Sequence, residues 1–164
     1  MNSLQIQFRE QGCCDGGDRH FKIDLYQLQE LFNISAFWAK GRSIKDLSIA
    51  IANSDPVISV GDGEQLIGFA RATSDGIYRA TIWDVVIHPN YRGTGLGSKL
   101  IETVLNHPRI RCVERVYIMT TCQQRFYEKI GFQPNSSNTM VLYRQSNLDS
   151  LAAEEIQLQE SIVG

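Results

Sequence analysis

The chain has 164 residues, a formal net charge of −2 and an apolar fraction of 43%. This length suffices for one domain with its own hydrophobic core and is too short for two ordinary domains. The net negative charge argues against a nucleic-acid-binding surface, which needs a clustered excess of Lys and Arg. No apolar run approaches the roughly 18 residues that span a bilayer. We therefore expect one globular domain that neither crosses a membrane nor binds nucleic acid.

Targeting signals and cysteine pairing are not indicated. Residues 1–20 mix acidic and basic side chains without an apolar stretch, which fits neither a secretory signal nor a transit peptide. Four cysteines lack both zinc-site spacing and a disulfide framework: Cys13, Cys14, Cys112 and Cys122. The sequence predicts free thiols and a cytoplasmic location, or another reducing compartment.

Two amphipathic helices are predicted after a short strand and a loop rich in glycine and aspartate. Asp24 and Gln27 have the spacing of a capping box, and apolar residues then recur at helical spacing as far as Trp38. Ser43 is predicted to cap the second helix through Asp46.

From residue 57 the apolar period becomes that of strands. Three strands over residues 57–60, 66–72 and 78–88 are separated by short turns, which predicts an antiparallel meander. A helix follows, and it allows a fifth strand, over residues 112–119, to run parallel to the last strand of the meander. A short helix and a terminal strand over residues 139–144 complete the predicted domain.

The expected organisation has three parts. Residues 1–23 form a strand and loop, residues 24–145 form the main domain, and residues 146–164 form an acidic, weakly helical tail. The tail is expected to be loosely docked or disordered, with an intermolecular contact helix as the alternative.

The most informative segment is an apolar strand that runs into a glycine-rich turn and then into a helix. Gly93, Gly95 and Gly97 are spaced by single residues, so consecutive backbone N–H groups can face a ligand without obstruction from Cβ atoms. The following helix adds unsatisfied donors and the positive end of its dipole. The pattern predicts a diphosphate site with Arg92 as a cation at its rim. A lone carboxylate, Asp84, interrupts the apolar strand.

Other glycine motifs fit less well. A dinucleotide-binding fingerprint counted from Gly93 would need glycine where Ser98 stands, and no Gly-Lys-Ser/Thr follows for a Walker A loop. A glycine turn that serves only tight strand-to-helix packing remains an alternative.

Two motifs together resemble those of the GNAT superfamily of acetyl-CoA-dependent N-acetyltransferases. The pattern Arg/Gln-x-x-Gly-x-Gly/Ala and the pattern Phe/Leu-Tyr-x-x-x-Gly-Phe are matched, in order, by Arg92, Gly95 and Gly97 and by Phe126, Tyr127, Gly131 and Phe132. Either motif alone is weak, but the two are separated by one helix and one strand. The resemblance covers roughly residues 24–144.

Residues 27–32 and 81–87 look like the plastid and cyanobacterial branch of this family, whose members are described as serotonin or arylalkylamine N-acetyltransferases and as protein acetyltransferases. The acceptor implied is a primary amine: serotonin, another arylalkylamine, a protein N-terminus or a lysine. A non-catalytic acyl-CoA-binding regulatory module is the alternative from another class. Many family members carry Asn at the position of Thr120, so Thr120, Thr121 or Gln124 would have to replace that contact.

The resemblance implies a mixed α+β fold: a mostly antiparallel twisted sheet with one splayed parallel strand pair and helices on both faces. Pantetheine would extend the strand at the splay, and pyrophosphate would bind the turn. The implied acetyl-CoA contacts are Val85, Val86, Ile87, Arg92, Gly93, Thr94, Gly95, Leu96, Gly97, Ser98, Thr121 and Tyr127.

The resemblance places Tyr127 at the cofactor sulfur, where a phenol with a reference pKa of about 10 could protonate the departing thiolate. Asp84 is the candidate for accepting the proton of the amine, and a structural or ammonium-binding role for it stays open. No metal is expected, and a homodimer is compatible with the branch. Phe37, Trp38 and Trp83, with Tyr78, are either core residues or the lining of an aromatic acceptor pocket.

Overall fold

The structure, a computed structural model, describes residues 5–11 and 22–143. The chain divides into two compact units, Met1–Gln123 and Gln124–Gly164. The predicted glycine-rich loop, Cys13, Cys14 and the predicted acidic tail lie outside the described residues.

A five-stranded sheet forms the centre of the first unit. Its strands are β1 (Ile6–Glu10), β2 (Val57–Asp62), β3 (Gln65–Ser74), β4 (Arg79–Ile87) and β5 (Arg115–Ile118), and they lie in that order across the sheet. Neighbours from β1 to β4 are antiparallel, whereas β5 runs parallel to β4. The parallel pairing predicted for the fifth strand is therefore confirmed. The helix that connects β4 to β5 is what allows the two strands to run in the same direction.

Helix α1 (Leu25–Ser35) begins at the predicted residue. The Asp24 carboxylate accepts hydrogen bonds from the N–H groups of Tyr26 and Gln27. The reciprocal half of the capping box was wrong, because the Gln27 side chain donates to the Glu64 carbonyl at 3.2 Å and accepts from the Leu66 N–H at 2.8 Å. Gln27 therefore ties α1 to the turn between β2 and β3.

Helix α2 (Ile44–Ala52) is capped as predicted, since the Ser43 hydroxyl accepts from the Asp46 N–H at 3.1 Å. Trp38 was wrongly predicted to belong to the first helix. The chain is extended at Ala36, and Trp38 lies in a 3₁₀ turn, Phe37–Ala39. Helical spacing alone could not locate this break.

Helices cover both faces of the sheet. Helices α1 and α2 share one cluster with alternate sheet residues, in which the Phe32 and Phe69 rings meet edge to face at 5.6 Å. Helix α3 (Leu96–Asn106) contacts β2, β3 and β4 through a separate buried stripe. The stripe is Leu100, Ile101 and Val104.

Strand β4 is irregular at Asp84. Two residues of β4, Asp84 and Val85, lie opposite one residue of β3, Ala70, and Asp84 has a positive φ of 57°. Strand β5 pairs with β4 only over Arg79–Ile82. The last five residues of β4 therefore have no strand partner on that side among the described residues, as expected for the splayed pair.

The second unit contains α4 (Gln124–Glu128). The predicted terminal strand is not formed in the described residues 139–143, where the Met140 and Leu142 side chains are 94% and 79% exposed. A strand pattern needs a neighbouring strand to pair its backbone groups, and none is formed there. Arg144 lies outside the described residues.

Among the described helices, none combines the length and apolar composition that crossing a membrane requires. The free thiols predicted at Cys112 and Cys122 are confirmed.

Substitution of Gly68 tests how closely the side chains of β2 and β4 pack around this position of β3. A Cβ at Gly68 would lie 2.8 Å from Ile87 Cδ1 and 3.0 Å from Val60 Cγ2. Because Val60 is β-branched and buried, Gly68→Ala is expected to lower the free energy of unfolding by about 1–3 kcal/mol. Urea denaturation measures the change.

Gly61→Ala is the matched control for Gly68→Ala. A Cβ at Gly61 would meet its neighbours at 3.4 Å or more, so this change should be neutral or slightly stabilising. Equal losses for the two variants would contradict the proposed crowding at Gly68.

Candidate functional site

The glycine turn joins β4 to α3 through two left-handed residues. Gly93 has a φ of 75° and Gly95 a φ of 86°, and a Cβ at either position would meet nothing within 4 Å. These positions therefore require glycine for backbone conformation and not for space. Open space over the turn leaves its backbone accessible to a ligand.

The N-terminus of α3 has no side-chain cap, unlike α1 and α2. Its N-cap residue is Gly95, whose carbonyl accepts from the Lys99 N–H at 3.1 Å. The N–H groups of the first turn have no acceptor within the helix. Three such donors, on Leu96, Gly97 and Ser98, therefore stand at the positive end of an 11-residue helix.

Arg92 does not stand free at the rim. Its Nε donates to the Ile87 carbonyl at 3.1 Å, and its Nη2 donates to the Ser35 carbonyl at 3.0 Å. The side chain thus joins the last residue of β4 to the last residue of α1. Next to it, the Tyr91 hydroxyl donates to Asp62 at 2.8 Å, and the Thr94 hydroxyl donates to the Tyr91 carbonyl at 2.7 Å. These bonds brace the approach to the glycine turn.

Asp84 lies under two arginine side chains. Its Oδ1 is 2.9 Å from Arg42 Nη1 and its Oδ2 is 2.7 Å from Arg71 Nε, and the carboxylate side chain is only 7% exposed. Arg71 also donates to the Ser54 hydroxyl at 3.1 Å, and its guanidinium lies 5.8 Å from the centre of the Trp83 ring. Neither arginine was identified from the sequence as a partner of Asp84. An acidic residue in an apolar strand requires a cationic partner, and Arg71 on the adjacent strand was the available signal.

Tyr127 belongs to the second unit. Its ring meets the Phe126 and Phe132 rings edge to face at 4.9 Å and 5.9 Å, and its carbonyl accepts from the Ile130 and Phe132 N–H groups. The residue is 9% exposed, and burial raises the pKa of the phenol to about 12. Tyr127 therefore stays protonated well above neutral pH.

The residues around the position of the family Asn make local contacts. The Thr120 hydroxyl accepts from the Gln123 N–H at 3.0 Å, and Thr121 is exposed between β5 and α4. Further along the chain, the Nδ1 of His88 accepts from the Asn90 N–H at 3.2 Å.

The four aromatic residues considered for an acceptor pocket are spread along the first unit. Phe37 and Trp38 meet edge to face at 5.2 Å beyond the end of α1. Trp83 donates to the Thr73 hydroxyl at 2.8 Å from within β4. Tyr78 is 62% exposed and precedes β4, at the end of that strand opposite the glycine turn. Tyr78 therefore does not belong to one pocket at the turn.

Glu10, Asp55 and His107 place potential metal ligands within 4.8 Å of one another. His107 Nδ1 accepts from the Arg109 N–H at 3.2 Å, which assigns the proton to Nε2, 2.9 Å from Glu10 Oε1. Arg109 Nε lies 3.2 Å from the Asp55 carboxylate. A protonated Nε2 and an adjacent guanidinium make this cluster a set of ion pairs and hydrogen bonds between side chains.

The first unit thus combines a splayed parallel strand pair, an open glycine turn and an uncapped helix. Residues 25–132 match the model of the Acetyltransferase (GNAT) family. A crystal structure of a GNAT-family protein from Xanthomonas campestris pv. campestris is similar with a TM-score of 0.66 and 26% identity, over 74% of this chain and 87% of that one.

Two curated relatives are similar in sequence. The protein named uncharacterized N-acetyltransferase ycf52 of Pyropia yezoensis is 40% identical over 115 residues, 67% of this chain and 65% of the relative. Histone acetyltransferase TAP1 of Glycine max is 35% identical over 130 residues, 72% of this chain and 54% of the relative. The chain spans less than two thirds of the length of these relatives. Since the family model matches more than half of the chain, the protein belongs to the GNAT acetyltransferase family.

Proposed function

We propose that this protein is an acetyl-CoA-dependent N-acetyltransferase that acetylates a primary amine. The observation that carries the proposal is the free edge of β4, which leads directly into an open glycine turn and the uncapped N-terminus of α3. These features are donors and acceptors in a continuous line, which suits a long ligand with amide groups at one end and a pyrophosphate at the other.

The proposed contacts divide between strand and turn. Backbone groups of Val85 and Val86 pair with the amides of pantetheine, and the N–H groups from Gly93 to Ser98 bind the pyrophosphate. Arg92 contributes by holding the turn in place, because its guanidinium already binds two carbonyls. The Ile87 carbonyl already accepts one of those bonds from Arg92. We therefore limit the proposed contact of Ile87 with pantetheine to its N–H group and side chain. Thr121 stays a proposed contact.

Acetyl-CoA supplies an acetyl thioester, and the reaction forms a bond between the acceptor nitrogen and the acetyl carbon while the carbon–sulfur bond breaks. The free N–H groups at the edge of β4 polarise the carbonyl as it becomes an oxyanion. Tyr127 donates its proton to the departing sulfur. The raised pKa of this buried phenol keeps that proton available at the pH where amines are neutral.

Asp84 could act as a base or as a positioning residue, and its contacts favour one of these two roles. As a base, Asp84 would accept the amine proton, but protonation would remove the negative charge that two guanidinium groups bind. As a positioning residue, it needs no rearrangement. We favour the positioning role, with water carrying the amine proton to solvent.

The acceptor amine is proposed at the level of its class. Arylalkylamines such as serotonin, protein N-termini and lysine side chains present the same nucleophile, and the histone acetyltransferase relative supports the protein acceptors. A non-catalytic acyl-CoA-binding module is the rival. It predicts binding of acetyl-CoA without release of CoA in the presence of any amine, which an assay of CoA thiol with an amine and peptide panel decides.

The remaining proposals concern the cellular location of the protein and its partners. We expect a cytoplasmic or other reducing location, no nucleic-acid partner and no resident metal. A homodimer is a further expectation that sedimentation equilibrium can examine.

Gly95→Ala tests the turn. An alanine at a φ of 86° is strained, which should turn the N–H groups of the helix start away from the pyrophosphate. The KM for acetyl-CoA is expected to rise about tenfold with a smaller change in kcat. Gly63→Ala is the control, because Gly63 also has a positive φ and open surroundings but lies in the β2–β3 turn. A similar KM for both variants would show that the turn does not bind the cofactor.

Tyr127→Phe tests the proton donor. Loss of the hydroxyl should lower kcat by about a hundredfold and leave the KM for acetyl-CoA nearly unchanged. Tyr26→Phe is the control, because this tyrosine is 74% exposed on α1 and its kinetics should match those of the wild type. Unchanged kcat in Tyr127→Phe would remove Tyr127 from the chemistry.

The pH dependence follows from the same phenol. A donor must be protonated to act, and with a pKa of about 12 Tyr127 loses its proton only above the usual range for tyrosine. The kcat should therefore rise as the amine deprotonates and show no fall near the ordinary tyrosine pKa of about 10. Stopped assays corrected for uncatalysed thioester hydrolysis measure this profile. A fall in kcat centred near pH 10 would indicate an unshifted tyrosine.

A further inference from the structure

Arg42 lies next to the proposed reaction centre, and Asp84 binds only one of its nitrogen atoms. Its Nη1 binds Asp84 Oδ1 at 2.9 Å, and its guanidinium lies 5.4 Å from the centre of the Phe32 ring. The side chain is 34% exposed, in contrast to 7% for Asp84 beneath it. Arg42 is therefore held in place on its buried side and open to solvent on the other.

The edge of Arg42 that Asp84 leaves unbound is the edge suited to a carboxylate. In a guanidinium group, Nε and Nη2 present two parallel N–H bonds that match the two oxygens of a carboxylate. Asp84 occupies Nη1, and within the described residues no hydrogen bond or ion pair is formed by Nε or Nη2 of Arg42. A planar two-donor edge is thus available beside the bulge in β4.

The charges of the cluster agree with this geometry. Arg42 and Arg71 carry two positive charges against the single negative charge of Asp84. The cluster therefore has one positive charge in excess, and Arg42 is its more exposed cation. This excess positive charge attracts a carboxylate on the acceptor and repels any ammonium group that the acceptor carries in addition to its reacting amine.

The position of this edge relative to the thioester rests on the proposed function. Asp84 lies within the free edge of β4 where the acetyl thioester is proposed to lie, and Arg42 binds its carboxylate directly. An acceptor that approaches this edge on the side of the Asp84 carboxylate would meet Arg42.

On these grounds we infer that Arg42 is a specificity-determining residue, which binds a carboxylate carried by the acceptor close to its amino group. The preferred substrate class is then an amine with a neighbouring carboxylate, in preference to the amine alone. Asp84 acts through Arg42 as a positioning residue, since it binds Nη1 and thereby limits the orientations open to the Nε–Nη2 edge.

The test uses matched acceptors that differ only in the carboxylate. Serotonin is compared with 5-hydroxytryptophan, and a peptide that begins with Asn is compared with one that begins with Asp. For the wild type, kcat/KM should favour the carboxylate member of at least one pair by about tenfold or more. In Arg42→Gln that ratio should fall towards one, while the KM for acetyl-CoA stays unchanged.

Two further variants separate recognition from folding. Arg42→Lys keeps the charge and loses the paired donors, so it should retain only part of the preference. Asp84→Asn should lower the preference as well, with kcat for the amine lacking the carboxylate reduced far less than loss of a base would require. Thermal denaturation shows whether each variant is folded.

Several outcomes would overturn the inference. One is a wild-type ratio of one or below in both pairs, and another is an equal loss for both members in Arg42→Gln. A raised KM for acetyl-CoA in Arg42→Gln would instead assign Arg42 to the cofactor.

Failure of the proposed function is distinguishable, because it appears as no CoA release with any amine. Calorimetry with CoA present then compares N-acetylserotonin and N-acetyl-5-hydroxytryptophan as ligands of the wild type and Arg42→Gln. Tighter binding of the carboxylate ligand only in the wild type supports the carboxylate site without turnover, and equal binding refutes it.

Discussion

The buried ion-pair cluster around Asp84 is the constraint on which the arrangement of the site depends. A carboxylate that is 7% exposed needs partners, and two arginines from separate parts of the chain supply them. The same residue has a left-handed backbone conformation and forms the bulge of β4. Just before the bulge, the pairing of β4 with β5 stops at Ile82. Electrostatics, backbone conformation and the opening of the sheet thus coincide at one position.

The features of the first unit that are proposed to bind the cofactor follow one another along the chain without interruption. The free edge of β4 ends at Ile87, the glycine turn follows, and α3 begins at Leu96 with its first N–H groups uncapped. Helices α1 and α2 begin on side-chain caps instead, so some of their first N–H groups are bound by their own cap residues. The difference is consistent with a helix start kept for a ligand, because a cap would compete for the same donors.

Much of the architecture could be predicted because it depends on local patterns. The change of apolar period at Val57, the caps at Asp24 and Ser43 and the glycine turn are each specified by neighbouring residues. The contact of Arg92 with Ser35 and the contacts of Arg42 and Arg71 with Asp84 were not predicted, since these partners lie 13 to 57 residues away in the chain. The terminal strand failed for the same reason: an apolar, β-branched pattern specifies a strand only where another strand can pair with it. Sequence pattern therefore located the candidate site residues and left their long-range partners undetermined.

The bridge made by Arg92 has a mechanical consequence. One guanidinium bonds both the end of β4 and the end of α1, so the two ends are tied together although they lie far apart in the chain. Replacing Arg92 would therefore loosen the strand end and the helix end at the same time, and the two elements are expected to respond as one unit.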